Sequence, residues 1–496
     1  MPALVAGDGM IGTTARVEAG DERRSAAAEG LGRAAAWAAL ALLAAIVLAH
    51  AALLPGGRWQ GDEYGGLEAY HSQGWAFFRY RLLHWSPRPV SEALIWLYAT
   101  VVYACRAPLI APALGVAWAI LVAAAIAGLC RRGKGLVWTG LIVAAVLAGF
   151  LLGHPVGEMF YWPMGALAYL PALAGVTCAA FLIVRGLAGA SAWRQRLGCL
   201  ASLLLATGSA EVGAMVTVCV CGLIGLTELA GWRAFRRRPG RLLAEAAWWA
   251  VPLAAAAGIL VLLLGGRAGS AAEAQNGAIA HHVVPSLLAG WSEFARLLIA
   301  PDAPAPGVAW WQPVVFLGLA ASWRRSRAAL APARHLLALA AGLLIAAYGS
   351  LASAAYQFGA PCCQRHDSFR ACLVVLALTV LAALAARLRV WRHVPAVAGP
   401  ALLVLGLLPP LLDRLPAWRA DLRQQGAVIA IRRANWAAGA APGPAMVLRQ
   451  APAPHVVNDG NLPVRGRIDR AAGEVPWFVA GVLDFFGKSA VDIEGP

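Results

Sequence analysis

Two adjacent acids, Asp62 and Glu63, stand in Gly61-Asp62-Glu63-Tyr64, just past the first long apolar run at about residues 34–54. A carboxylate held there could take a proton from an acceptor hydroxyl or amide as a general base. The plainer alternative is a solvated acid pair capping a helix at a membrane exit. His84-Trp85-Ser86-Pro87-Arg88-Pro89 follows, and Arg88 suits either bidentate recognition of a phosphate or an anchor at the interface. Glu158 and Trp162 precede Tyr169 at the start of another apolar run. Glu211 sits in Thr207-Gly208-Ser209-Ala210-Glu211, between two short ones. An acid at membrane depth is costly and points to function, less so where a hairpin turn just reaches the interface. Arg365-His366-Asp367-Ser368-Phe369-Arg370 opens a further run. Two arginines and a histidine there could clamp a mono- or diphosphate headgroup, with a stop-transfer charge cluster as the alternative.

Other chemistries lack their residues. The chain has no P-loop, Gly-x-Ser-x-Gly or His-Glu-x-x-His motif, so an ATP-driven transporter or membrane metalloprotease of those types is unsupported. His281-His282 is weak as a metal site because no third ligand has a recognisable spacing. The nine cysteines are an odd number, most inside apolar segments, and no Cys-x-x-Cys occurs. Buried thiols of that kind act as small hydrophobes. Vicinal cysteines rarely bond each other, so Cys362-Cys363 reads as structural.

The elements that must position these residues are membrane helices. The chain has 496 residues, 60% hydrophobic and 13% charged, against about 25% charged in soluble domains. Several runs approach the roughly 20 residues that cross a bilayer as helix, so an all-α polytopic membrane protein of about eleven transmembrane helices is expected. The net charge of +16 could suggest nucleic acid. Its placement in short loops between apolar runs follows the positive-inside rule instead. Only Lys134 and Lys488 are lysines; with so much Ala, Gly and Arg, this reads as a GC-rich bacterial coding bias.

With a cytoplasmic, disordered N-terminus at 1–33, the first span delivers Asp62 to the periplasmic side. Further spans are expected near 109–129, 135–153, 165–184, 198–210, 213–230, 244–264, 308–322, 335–354, 370–386 and 393–412. The basic loops at 131–134, 185–196, 233–241, 324–334 and 387–392 then share one side. Residues 90–104 decide the parity. If they cross, the basic loops face outside or the N-terminus does. The segment is short for a span and carries Glu92, Trp96, Tyr98 and Tyr103, which favours the interface. The transmembrane domain then covers 34–412, with a juxtamembrane stretch at 55–108, a periplasmic loop at 265–307 and a periplasmic tail at 413–496. That tail is proline-rich near 442–454 and more structured toward Trp477-Phe478.

The set resembles the GT-C superfamily of integral-membrane glycosyltransferases, and in particular bacterial multi-span proteins related to O-antigen glucosyltransferases. The resemblance rests on the acid pair after helix 1 and on an aromatic stretch ending in Trp85-Ser86-Pro87-Arg88. It also rests on Glu158-Met159-Phe160-Tyr161-Trp162-Pro163-Met164-Gly165-Ala166 with Tyr169, on Glu211 at a short hairpin, and on Trp477-Phe478-Val479-Ala480 with Phe485-Phe486-Gly487. Each motif is short; together they span most of the chain. The resemblance implies a polyprenyl-phosphate sugar donor and a glycan or lipid acceptor of the cell envelope, such as lipopolysaccharide, at the periplasmic face of the inner membrane. It makes Asp62 the catalytic base and Glu63 its partner or substitute, with Arg365 and Arg370 toward the lipid phosphate. No nucleic acid is implied, and no cofactor, with a divalent cation the remaining alternative. Rival readings are an O-antigen polymerase or ligase using arginine and histidine, a transporter or flippase, and a structural membrane component.

Overall fold

An apolar segment in lipid must satisfy its own backbone, and helix does so within the segment. A computed structural model describes residues 11–130, 135–153, 155–186, 192–230, 239–267, 282–299, 311–326, 328–359 and 363–495. Among these the chain is mostly helical with little sheet. In order come α1 (Ile11–Ala51), α2 (Gly61–Gln73), α3 (Trp75–Tyr80), a π-helical turn (Arg81–Trp85), α4 (Pro89–Cys105), α5 (Ile110–Leu129) and α6 (Leu136–Leu152). Then come α7 (Gly157–Phe160), α8 (Pro163–Val184), α9 (Ala192–Ser209), α10 (Glu211–Ala230), α11 (Pro239–Arg267) and α12 (Val283–Ile299). The last long helices are α13 (Trp311–Ser326), α14 (Ala333–Phe358), α15 (Gln364–Ala385) and α16 (Ala398–Ala440).

Among the described residues, eight helices are long and apolar enough to cross a membrane: α1, α5, α8, α10, α11, α14, α15 and α16. Three further expected spans form the shorter or less apolar helices α6, α9 and α13. The N-terminal stretch expected to be disordered is helical from Ile11, as its many Ala, Glu and Arg favour. Arg131–Lys134, residues 187–191, most of Arg233–Arg241, His281, Cys362 and most of the 265–307 loop lie outside the described residues.

The helix ends gather at two faces. At the first, Gly57 after α1 packs on the Tyr161 carbonyl and on Ile110 of α5, Gly208 of α9 packs on Val90 of α4, and Gly153 after α6 packs on Trp311 of α13. At the second, Arg185 donates to the Gly128 carbonyl (2.8 Å) and Arg387 to the Leu330 carbonyl (3.1 Å). There too Arg325 donates to the Val394 carbonyl (2.9 Å), and Arg334 lies 3.8 Å from Glu228. Both ends of α4 belong to the first face. Arg88 precedes it there, and Tyr103 near its other end stacks on His71 of α2 at 3.7 Å and meets Phe485 at 5.1 Å. Residues 90–104 therefore run along that face.

The expected tail begins as a continuation of α16, a 43-residue helix that accommodates Pro409, Pro410 and Pro416. A small domain follows, with strands β1 (Ala445–Arg449), β2 (Gly466–Asp469) and β3 (Ala490–Glu494) in the order β1-β3-β2 and helix α17 (Trp477–Phe486). β1 pairs parallel and β2 antiparallel to β3. Its own core joins Met446, Leu448, Val479, Val482, Leu483, Val491 and Ile493. Two contacts tie this domain to the segment leading into α2. Asn458 exchanges hydrogen bonds with the Arg58 backbone, at 2.8 and 3.2 Å, and Gly460 sits against the Trp59 carbonyl.

Candidate active site

Asp62 and Glu63 occupy the first turn of α2, where the helix dipole favours negative charge. Successive residues on a helix point about 100° apart, and this separates the pair. The Asp62 side chain opens on a large cavity. Glu63 turns into the protein, is 0% exposed, and accepts a 2.8 Å hydrogen bond from the Trp162 indole. Burial raises the Asp62 carboxyl above its ordinary range, and nearby Arg365 and Arg81 pull it partly back. Burial pushes Glu63 up much further, although Trp162 and the backbone at Gln60 and Met164 favour its charged form. Asp62 is thus the accessible carboxylate. Glu63 is a buried acid holding Trp162, and it does not line the cavity.

One wall is built from the π-helical turn and the start of α4. Glu92, one turn into α4 and 0% exposed, takes Arg81 Nη2 at 3.0 Å and Arg88 Nη2 at 3.2 Å. It also accepts from the Tyr70 hydroxyl. Glu211 opens α10, accepts from the Ser86 hydroxyl and lies 3.8 Å from Arg88 Nη1. Burial alone would lower the Arg88 pKa; Glu211 and Glu92 outweigh it and hold that guanidinium firmly charged.

The facing wall is the start of α15. Glu158 Oε2 accepts from both the Arg365 backbone (3.2 Å) and its guanidinium (3.3 Å). Arg365 lies over the Trp162 ring, 5.1 Å from its centroid. Trp162 thus links buried Glu63 on one side to a cavity arginine on the other. His366 Nε2 meets the Tyr169 hydroxyl at 2.6 Å. Arg370, only 1% exposed, is fixed by Asp367 (2.7 Å) and by the Ser350 hydroxyl (2.8 Å) and carbonyl (3.1 Å).

These walls enclose a cavity of about 1380 Å³. Asp62, Arg88, Trp162, Tyr169, Glu211, Arg365, His366 and Arg370 all line it; Glu63 and Glu158 stand behind it. Its apolar side comes from Leu260, Leu263 and Leu264 of α11, Val283 and Leu287 of α12, and Met215 of α10. Sequence reasoning used Glu92 only to place residues 90–104 and gave Arg81 and Tyr70 no role at the site. The signal for Glu92 was available, as an acid inside an apolar run four residues after Arg88, the spacing of an i,i+4 ion pair. Among the described residues no group of three or more His, Cys, Asp or Glu side chains is arranged for a metal ion. His282 lies just before α12, and Cys363 before α15 is disulfide-bonded. In comparisons with protein-family models, curated proteins and solved structures, nothing matches the chain.

Proposed function

We propose that this protein is a membrane glycosyltransferase that moves a sugar from a polyprenyl-phosphate donor to a cell-envelope acceptor. The observation that carries the reading is one cavity that joins an accessible carboxylate, Asp62, to four arginines and an apolar side. An amphiphile with a phosphate headgroup matches that division. The apolar side takes the chain, and Arg365, Arg370, Arg81 and Arg88 attract the phosphate. The sugar then lies toward Asp62.

The chemistry is displacement at the anomeric carbon. The acceptor oxygen forms the new bond as the bond to the phosphate oxygen breaks. The phosphate leaves with the bonding electrons, and arginine stabilises its charge. Asp62 accepts the acceptor's proton. Arg88 and Glu211 orient the headgroup, Tyr169 and His366 hydrogen-bond to it, and Glu158 and Trp162 hold Arg365 in place.

The eleven-span, GT-C-like arrangement is part of this proposal. α6, α9 and α13 connect the same two faces as the eight longer helices, and α4 stays at one of them. The second face carries Arg185, Arg325, Arg334 and Arg387, which suits the cytoplasmic side. The cavity then faces the periplasm of a bacterial inner membrane, where a disulfide at Cys363 persists. The N-terminus is cytoplasmic and the C-terminal domain periplasmic. A transporter reading is less favoured because the cavity draws its lining from helix ends at one face.

Asp62→Asn tests the reading. Purified protein in polyprenyl-phosphate-sugar liposomes should lose transfer by at least about a hundredfold, with normal expression and unchanged binding of a short-chain polyprenyl phosphate. Full activity of this variant would reject the base assignment and favour a polymerase- or ligase-like site resting on Arg365 and His366.

A further inference from the structure

Three tryptophans line the cavity: Trp85, Trp162 and Trp477. Two of them hold arginines. Arg81 lies 5.5 Å from the Trp85 ring centroid and Arg365 lies 5.1 Å from that of Trp162. Trp477 differs. It is 61% exposed, and the ring packed beside it is Phe478, edge-on at 5.5 Å. It begins α17, in the C-terminal domain, so it reaches the cavity from outside the helical bundle.

Its position is fixed by backbone contact. α17 crosses α2 where Gly481 approaches the backbone of Gly65, so closely that an added Cβ on Gly481 would lie 2.9 Å from the Gly65 nitrogen. Phe478 packs on Gly61, where an added Cβ would come within 2.6 Å. Glycine at these positions lets the two helices meet without intervening side chains. Trp477 thus stands next to the residue that packs on Gly61, and Gly61 precedes Asp62. A large aromatic surface is exposed at the cavity that the candidate base also lines, outside the domain's own core.

We propose that Trp477 is the platform on which a sugar ring of the acceptor stacks, so that the acceptor is a glycan. The aromatic face carries negative electrostatic potential, and the C–H face of a pyranose presents weakly positive hydrogens to it. The hydroxyls at the ring edge stay free to hydrogen-bond. Stacking there brings an acceptor hydroxyl toward Asp62 while the arginines and the apolar side remain available to the donor. This inference rests on the glycosyltransferase reading for the role of the bound sugar.

The test uses the full chain in detergent micelles and two probes: a panel of methyl hexosides followed by saturation-transfer NMR, and a short-chain polyprenyl phosphate followed by calorimetry. Wild-type protein should transfer saturation to the ring protons of at least one hexoside. Trp477→Ala and Trp477→Leu should weaken that contact about tenfold, Trp477→Phe should retain most of it, and all three should bind the polyprenyl phosphate like wild type. Lipid-phosphate binding with no hexoside contact, or with contact that survives Trp477→Ala, would overturn this inference and leave the functional reading intact. If Trp477→Leu matches wild type, the ring is an apolar filler or interfacial anchor and the inference falls. Absence of polyprenyl-phosphate binding in wild type would remove the functional reading and this inference with it.

Discussion

Glu92→Gln keeps the side chain's size and a partner for the Tyr70 hydroxyl, but removes the charge that faces Arg81 and Arg88. Breaking a buried pair costs about 3–5 kcal/mol, since the surviving charge is left buried and unpaired. Two features limit the loss here. Arg88 keeps Glu211 at 3.8 Å, and Arg81 lines the open cavity. The expected loss is therefore about 3 kcal/mol, the bottom of that range. Removing the stranded charge should recover part of it. The double variant Glu92→Gln/Arg81→Gln should then be more stable than the two single losses added together, with a coupling of about 1–3 kcal/mol. The assay is reversible unfolding in mixed detergent micelles for wild type, both single variants and the double variant, followed by tryptophan fluorescence. A coupling below about 0.5 kcal/mol would mean that Glu92 and Arg81 act independently, and the account of this wall would fail.

Two predictions concern pH. The folded state holds Glu63 well above its ordinary value of 4.5. It therefore keeps a proton that the unfolded chain releases above that value, and stability falls as pH rises from there through the folded-state value. Glu63→Gln should flatten that decline above pH 4.5 and match or exceed wild type at the alkaline end; an unchanged slope would refute it. The acid limb of kcat/KM should lie above 3.8, the ordinary value for Asp62, because burial raises this group. Arg81→Gln should shift the limb further up, since Arg81 pulls the other way; a downward shift would refute the assignment.

Much of the bundle was legible because it depends on composition. Segments with few charges and enough length become helices in lipid whatever their neighbours are. The path of α4 was less so. Its length permits either a crossing or a surface position, and its ends are set at one face by contacts far apart in sequence, Val90 with Gly208 at one end and Tyr103 with His71 and Phe485 at the other. The C-terminal sheet was missed for a related reason. β1 and β2 are short, and each pairs only with β3, at the end of the chain. At the site, residue type identified the charged side chains but not their division of labour. Asp62 and Glu63 look equivalent in sequence, and the turn of α2 gives one to the cavity and the other to Trp162. Glu158 reads as a ligand-facing acid in sequence, whereas in the fold its carboxylate is committed to the Arg365 backbone and side chain.

Each cavity arginine is paired with a carboxylate, Arg81 and Arg88 sharing one: Glu92 for Arg81, Glu92 and Glu211 for Arg88, Glu158 for Arg365 and Asp367 for Arg370. This balance has a physical cause. An unpaired guanidinium beside an apolar wall would be costly to desolvate, so the fold neutralises these charges before any substrate arrives. Under the proposed function it also has a consequence for catalysis. A strongly cationic cavity would hold the departing polyprenyl phosphate and slow turnover. Glu92, fully buried, and Glu158 and Asp367, outside the lining, restrain their guanidiniums from behind, while Glu211 faces the cavity beside Arg88. Arginine has five N–H donors; the Arg365 side chain gives Nη1 to Glu158 and a further hydrogen bond to the Tyr169 hydroxyl. The unused donors suit a phosphate whose charge grows as the glycosidic bond breaks, which is where hydrogen bonding accelerates the reaction. The paired carboxylates temper how tightly the product is then retained.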